Sequence, residues 1–187
     1  MSHKTDVVVI GAGPVSLFAI FELGLLNLKC HIIDNLDKIG GQCAELYPEK
    51  PVYDIPSRPR ITGEELIEDL MLQAKPFDPV FHLNQQADSI EKVGEEWKLT
   101  TSSNTVIHAR CIVIAAGAGS FVPRRPPMEN IELFENTSVF YSVRDKHKFK
   151  NKKILIVGGG DSALDWTIDL SSIAEVTLMH RRKEFRA

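Results

Sequence analysis

Two glycine-rich turns hold the residues of this 187-residue chain whose types and spacing could do chemistry. In the first, the apolar run Val7-Val8-Val9-Ile10 enters Gly11-Ala12-Gly13-Pro14-Val15-Ser16 and continues into a helix-compatible stretch, residues 17–26. Strand, tight turn and helix in that order fit a G-x-G-x-x-G dinucleotide fingerprint. Gly11 allows the sharp turn, Gly13 lets backbone approach a pyrophosphate, and the helix aims its unpaired N–H groups at the phosphate charge. Ser16 stands in place of the third glycine, a small residue compatible with close helix–strand packing. A second apolar run, Cys30-His31-Ile32-Ile33, ends on Asp34, which puts a carboxylate where an adenosine ribose would be hydrogen-bonded.

The second turn follows Lys153-Ile154-Leu155-Ile156-Val157 and reads Gly158-Gly159-Gly160-Asp161-Ser162-Ala163, a G-x-G-x-x-A form of the same fingerprint. A helix over about 162–172 leads to the strand-like Val176-Thr177-Leu178-Met179 and then to His180-Arg181-Arg182-Lys183-Glu184-Phe185-Arg186. Arginines thus stand where the first site has its acid. A guanidinium fork matches a phosphate bidentately, so this exchange favours a 2′-phosphorylated nucleotide, NADPH, over NADH.

The elements between the turns can also be read. Gly40-Gly41-Gln42-Cys43 reads as a loop able to pass close to a ligand, and residues 46–56, with three prolines and two tyrosines, as a stiff, irregular, partly buried connection. Thr62 and Glu65 form a capping box for a helix whose apolar face is Leu66, Ile67, Leu70, Met71 and Ala74, ending at Pro76. Strand-like segments at 87–93, 97–101 and 105–109 suggest a three-stranded meander, and a separate apolar strand, 111–115, opens into Ala116-Gly117-Ala118-Gly119. Pro123, Pro126 and Pro127 mark a domain boundary, which gives a first domain over 1–121 and a second over 122–187.

Composition is that of an ordinary globular protein, 43% hydrophobic and 25% charged. Gly11, Gly13, Pro14 and Glu22 interrupt residues 7–26 and argue against a membrane span or signal peptide. Three widely spaced cysteines suit a reducing cytoplasm, and six scattered histidines show no metal-ligand spacing, so no metal is expected. Residues 1–120 carry 10 basic and 16 acidic side chains and residues 121–187 carry 12 and 9, an excess of −6 at the front and +3 at the back. That asymmetry is compatible with an anionic ligand or acidic partner at the back half, and is too weak to suggest nucleic acid. The basic run Arg144, Lys146, Lys148, Lys150, Lys152 and Lys153 either steers an acidic partner or is solvated surface.

Taken together, the two turns resemble those of the two-dinucleotide-binding flavoproteins, and the stretch from Gly158 to Ala163 followed by residues 180–187 is similar to the thioredoxin reductase branch. The redox cysteines of that family are missing: Tyr141-Ser142-Val143-Arg144-Asp145 occupies the C-x-x-C region, and a partner for Cys43 five residues on is replaced by Pro48. The motifs Gly40-Gly41-Gln42, Leu46-Tyr47-Pro48-Glu49-Lys50, Tyr53-Asp54 and Gly158 to Trp166 resemble the thioredoxin reductase-like ferredoxin–NADP⁺ reductases. The resemblance implies an α/β fold: an FAD-binding Rossmann-like domain with a β-meander, then the start of an NADPH-binding Rossmann-like domain. It implies FAD bound by Gly11, Gly13, Pro14, Asp34, Gln42 and Gly117, with Tyr47 stacked on the isoalloxazine, and NADPH bound by Gly158, Gly160, Asp161, Ser162, Arg181, Arg182 and Arg186. Its implied partner is ferredoxin or a similar iron–sulfur carrier, and its implied assembly a homodimer in a longer chain, family members being much longer than 187 residues. A reductase of disulfides or other acceptors without an internal dithiol, and a non-catalytic FAD-binding fragment, are the alternatives.

Overall fold

A strand with β-branched residues on both faces belongs in the middle of a sheet, and Val7, Val8 and Val9 are 4%, 0% and 0% exposed. They lie on β1 (Ser2–Ile10), which pairs in parallel with β2 (Cys30–Ile33) on one side and with β8 (Val106–Ile114) on the other. The computed structural model describes residues 2–120 and 125–185. The chain divides into two units, Met1–Ser142 and Val143–Ala187.

The first unit holds a six-stranded sheet in the order β5-β2-β1-β8-β7-β6, with β5 (Val80–His82) parallel to β2, and β6 (Ala87–Val93) and β7 (Glu96–Thr101) antiparallel. Helices α1 (Pro14–Leu25) and α3 (Gly63–Ala74) pack with Val7, Val9, Ile32, Leu17, Ile20 and Ile67 in one core cluster. Val8, Ile33, Leu99, Ile107 and Ala109 form the other. Each such fully buried aliphatic side chain contributes about 1.5–3 kcal/mol of transfer free energy. Helix α3 opens as its capping box predicts: the Glu65 N–H donates to Thr62 Oγ1 at 3.2 Å and the Thr62 N–H to Glu65 Oε2 at 2.8 Å. It ends at Ala74, and Pro76 follows inside a 3-10 turn, Lys75–Phe77.

Three expectations are corrected here. The segments 105–109 and 111–115 are one continuous strand, β8, whose first half completes the meander with β7 while both halves pair with β1. Arg110 and Cys111 carry the chain straight through, because an alternation of side chains interrupted by one arginine still reads as strand when a partner lies on each side. The irregular connection contains β3 (Pro51–Val52), paired with β4 (Ile61–Thr62), and its Tyr53 is 66% exposed. The unit boundary lies at 142/143, beyond the 121/122 expected from the prolines. The segment up to Ser142 stays with the first unit, its Ser142 hydroxyl donating to Glu45 Oε1 at 2.9 Å, and within it Ile131 is buried and Arg125 pairs with Glu135 at 2.7 Å. Pro123 lies outside the described residues.

The second unit comprises β9 (Lys153–Val157), α4 (Asp161–Ser171) and β10 (Glu175–Met179), with Leu155 opposite Thr177 in a parallel two-stranded sheet. A 3-10 turn over Lys146–Phe149 precedes it. Among the described residues no helix is long and apolar enough to cross a membrane.

Candidate functional site

Gly11 sits at φ +103°, where L side chains are strained, and a Cβ there would overlap the Ala115 carbonyl at the end of β8. Its N–H donates to the Ile33 carbonyl at 2.8 Å, so the turn is seamed to β2 on one side and crowded by β8 on the other. Gly13 differs. Its φ of −80° and ψ of −179° suit any residue, and a Cβ would meet nothing within 4 Å. It is the N-cap of α1, which has Pro14 in its first turn, no side-chain cap and no acid there. That is a helix start with no capping side chain, and the open space over Gly13 is the approach an anion would use.

Asp34, 9% exposed, accepts at Oδ2 from the Ala12 N–H at 2.6 Å and at Oδ1 from the Leu36 N–H at 2.9 Å. Its own N–H donates to the His82 carbonyl at 3.1 Å. A carboxylate has about four lone-pair sites, so these bonds leave acceptor capacity for a sugar hydroxyl.

The expected Gly40–Cys43 loop is a short helix instead, α2 (Gly41–Glu45). Two glycines in the positive-φ region, Gly40 at 122° and Gly41 at 56°, make the sharp entry that read as loop. The Gly40 N–H donates to the Ala12 carbonyl at 2.9 Å, and a Cβ on Gly41 would lie 3.0 Å from the Gly13 Cα. Lys38 Nζ donates to the Ala44 carbonyl at 2.6 Å and ties the segment before α2 to the helix. Next on α2, the Gln42 Nε2 lies 3.9 Å from where a Cβ would stand on Gly117, itself at φ +55°. The fold therefore gathers Gly11, Gly13, Pro14, Asp34, Gln42 and Gly117 from four chain segments into one cradle. Close backbone approach, an uncapped helix end and a strand-end carboxylate suit the ADP half of a dinucleotide. Cys43 on α2 and Tyr47 just beyond its end are neighbours. Burial pushes both above their ordinary values, for Tyr47 reinforced by the neighbouring Cys43. All three cysteines are free, with Cys30 buried, Cys43 half-buried and Cys111 exposed.

In the second turn the glycines have separate reasons. A Cβ on Gly158 would press on the Ala163 methyl at 2.8 Å, and one on Gly159 would overlap the His180 ring. Gly160, the N-cap of α4, is open, and α4 again has no side-chain cap. Asp161 puts a carboxylate in the first turn of α4, where it partly offsets the positive helix end. The Gly158 N–H donates to the Met179 carbonyl at 3.0 Å, and the His180 ring stacks on Phe185 with centroids 4.9 Å apart. His180 thus seats the end of β10 against the glycine turn, and exposed Arg181 and Arg182 follow it directly. Ser162 lies on α4 next to Asp161, and Arg186 lies outside the described residues. The basic run begins at the turn before β9. Lys146 pairs with Asp169 at 3.3 Å, while Lys150, Lys152 and Lys153 line an open cavity of about 690 Å³ with Ser172 and Glu175.

Residue spacing alone missed two features. Ala12 is a working member of the first site through its N–H, and the signal was its place between the two glycines. The histidines are not all scattered: the rings of His3, His31 and His82 lie 5.1–5.3 Å apart, centroid to centroid, on β1, β2 and β5. Parallel strand pairing brings them together, and nothing in their sequence separation announces it.

The pyridine nucleotide-disulphide oxidoreductase family matches residues 45–187. The chain is 60% identical over 186 residues to the ferredoxin–NADP reductase of Nitrobacter winogradskyi, covering 98% of this chain and 54% of that protein. It is 59% identical to the ferredoxin–NADP reductase of Rickettsia rickettsii, covering 99% of this chain and 55% of that one. It therefore spans about half the length of the curated relatives it matches. Among solved structures, Lactococcus lactis thioredoxin reductase in its FR conformation superposes with a TM-score of 0.75 at 26% identity, over 98% of this chain and 58% of that one. Cyclohexanone monooxygenase from Rhodococcus shares the fold at a TM-score of 0.77 and 21% identity, over 96% and 38% of the two chains. With its two glycine turns, its mixed sheet and a family match over most of its length, the chain belongs to the pyridine nucleotide-disulphide oxidoreductase family.

Proposed function

We propose that the chain is the FAD-binding part, and the opening of the NADPH-binding part, of a ferredoxin–NADP reductase. The observation that carries this reading is the pairing of two strand–turn–helix units, one whose second strand is followed directly by the carboxylate Asp34 and one whose second strand is followed, after His180, by Arg181-Arg182. In it, Gly11, Gly13, Pro14, Asp34, Gln42 and Gly117 hold FAD, and Tyr47 packs on the flavin ring. Gly158, Gly160, Asp161, Ser162, Arg181, Arg182 and Arg186 hold NADPH, the arginines meeting its 2′-phosphate.

FAD, held by Gly11, Gly13, Pro14, Asp34, Gln42 and Gly117, would supply the chemistry that couples hydride transfer from NADPH to single-electron transfer to an iron–sulfur carrier. The protein's share is to bind, orient and exclude water, so no acid–base pair is required of it. Asp34 fixes the ribose and, through the Ala12 N–H, the shape of the phosphate turn. The basic run at Arg144 to Lys153 draws in ferredoxin, an acidic partner, by long-range attraction. The reading carries with it a cytoplasmic location and, in the full-length form, a homodimer.

The test is anaerobic bleaching of the purified, FAD-loaded chain. A yellow protein bleached faster by NADPH than by NADH, and reoxidised by ferredoxin, supports the reading. Equal rates with the two nucleotides, or no bound chromophore, sink it, and FAD binding without any bleaching leaves a non-catalytic flavin module in its place.

A further inference from the structure

Three imidazoles meet where β1, β2 and β5 run side by side. The His31 Nδ1 and His82 Nε2 are 2.9 Å apart, a separation that holds one shared proton and no more. The His3 ring closes the triangle at 5.3 Å from His31 and 5.1 Å from His82. Burial keeps the His31 ring neutral, reinforced by His82 and His3, and lowers its pKa to about 4. Burial lowers His82 as well, with His3 adding to it. Those rings are the ionisable groups that bear on His31 and His82. The charges next to them along the strands are engaged elsewhere: Lys4 with Glu96, and Asp6 with Arg110 at 3.8 Å and with the Lys29 N–H at 2.9 Å. Among the described residues no group of three or more potential ligands is placed to hold a metal ion, these rings included.

The cluster touches the first candidate site through the backbone. The His82 carbonyl receives the Asp34 N–H at 3.1 Å, and the Asp34 carbonyl receives the Gln85 N–H at 3.0 Å. β5 is only three residues long and forms the edge of the sheet, so it is held by a few hydrogen bonds to β2, by Phe81 packed against the core on one face and by the contact of His82 with His31.

We propose that the His3–His31–His82 cluster is a proton-operated release for the first dinucleotide site, in which protonation drives β5 from β2 and slackens the backbone carrying Asp34. The proposal rests on the reading of that site as the FAD site. The direction follows from linkage: the unfolded or detached ring takes a proton near 6.5, the clustered His31 ring only near 4, so the paired state loses ground as pH falls through that window. A second proton in the cluster would place like charges about 5 Å apart with no carboxylate between them.

The test uses the whole chain loaded with FAD, followed from about pH 7.5 to about pH 4.5. Histidine ring titration is read by NMR, hydrogen-exchange protection at the Asp34 and Gln85 amides, corrected for intrinsic exchange, and flavin release by fluorescence. The expected result is a His31 ring that titrates well below 6.5, protection at both amides that drops at least tenfold while that of Ile67 on α3 holds, and flavin release that accelerates over the same window. His31→Gln and His82→Asn, tried separately, flatten the response. Unchanged protection with FAD retained, or a wild-type His31 titrating normally, overturns the proposal. Protection that falls in a chain that never takes up FAD overturns the flavin reading and leaves the acid response of the sheet edge standing.

Discussion

The Asp34 carboxylate accepts the Ala12 N–H at 2.6 Å, so the acid at the end of β2 is bonded to the middle residue of the glycine turn after β1. In a nucleotide site that acid is expected to face the ribose. Here it also shapes the glycine turn, which in the proposed function faces the phosphates, so that one side chain would serve two halves of the cradle.

Asp34→Ala is therefore expected to destabilise the chain even without ligand. Two hydrogen bonds to an ionised acceptor are lost and the buried Ala12 N–H is left unpaired. The cost is about 2–3 kcal/mol, measured as a lower urea midpoint at constant slope. A midpoint within experimental error of wild type would show that the carboxylate serves the ligand alone.

Gly11 and Gly13 are expected to part company on substitution by alanine. At Gly11 the positive φ and the overlap with the Ala115 carbonyl fall on backbone, which cannot move aside cheaply. Gly11→Ala should lose more than about 2 kcal/mol of stability or fail to fold. At Gly13 the conformation is ordinary and the space open, so Gly13→Ala should fold within about 1 kcal/mol of wild type while binding FAD at least about tenfold more weakly, the methyl standing in the path of the pyrophosphate. Thermal unfolding and flavin titration of the same two proteins separate the roles; equal effects on both would contradict them.

These residues also mark what one chain of letters can reveal. Strand, turn and helix at 7–25 and at 153–171 were legible because local pattern and tertiary role agree there: apolar runs end in glycine and helices follow. The capping box of Thr62 and Glu65 was legible because it is a bond within four residues. What escaped was set by partners distant in sequence. The continuity of β8 depends on β1 and β7 flanking it, the length of the first unit on Ser142 reaching Glu45, and the histidine cluster on three strands lying side by side. α2 escaped for the opposite reason, since two glycines obscured a helix only five residues long.

Ser16 occupies the third glycine position of the fingerprint, is 0% exposed, and its Oγ has no hydrogen-bond partner. A buried hydroxyl left unpaired costs about 1–3 kcal/mol, and alanine is also the better helix residue. Ser16→Ala is expected to raise stability by about 1 kcal/mol, seen as a higher melting temperature, with flavin affinity unchanged. A loss of stability would mean that the hydroxyl has a partner in solution, a bound water being the simplest.

Arg181 and Arg182 are the residues on which nucleotide choice turns in the proposed function, and both are exposed at the end of β10 beside the turn seated by His180. Their value lies in one group, the 2′-phosphate, so a probe that carries it should be compared with one that does not. Exposure screens each contact, which puts it at the low end for a charged hydrogen bond, about 1 kcal/mol, or roughly fivefold in binding. Replacing both by glutamine is then expected to weaken 2′,5′-ADP by about twenty- to thirtyfold and 5′-AMP by less than about threefold, since the shared 5′-phosphate would meet α4 and Gly160 instead. Titration calorimetry at low salt and at about 0.3 M salt adds a second readout, because the difference between the probes should shrink as the charges are screened. Equal losses for the two probes would mean that the arginines only raise the local potential, and would remove the structural ground for preferring NADPH to NADH.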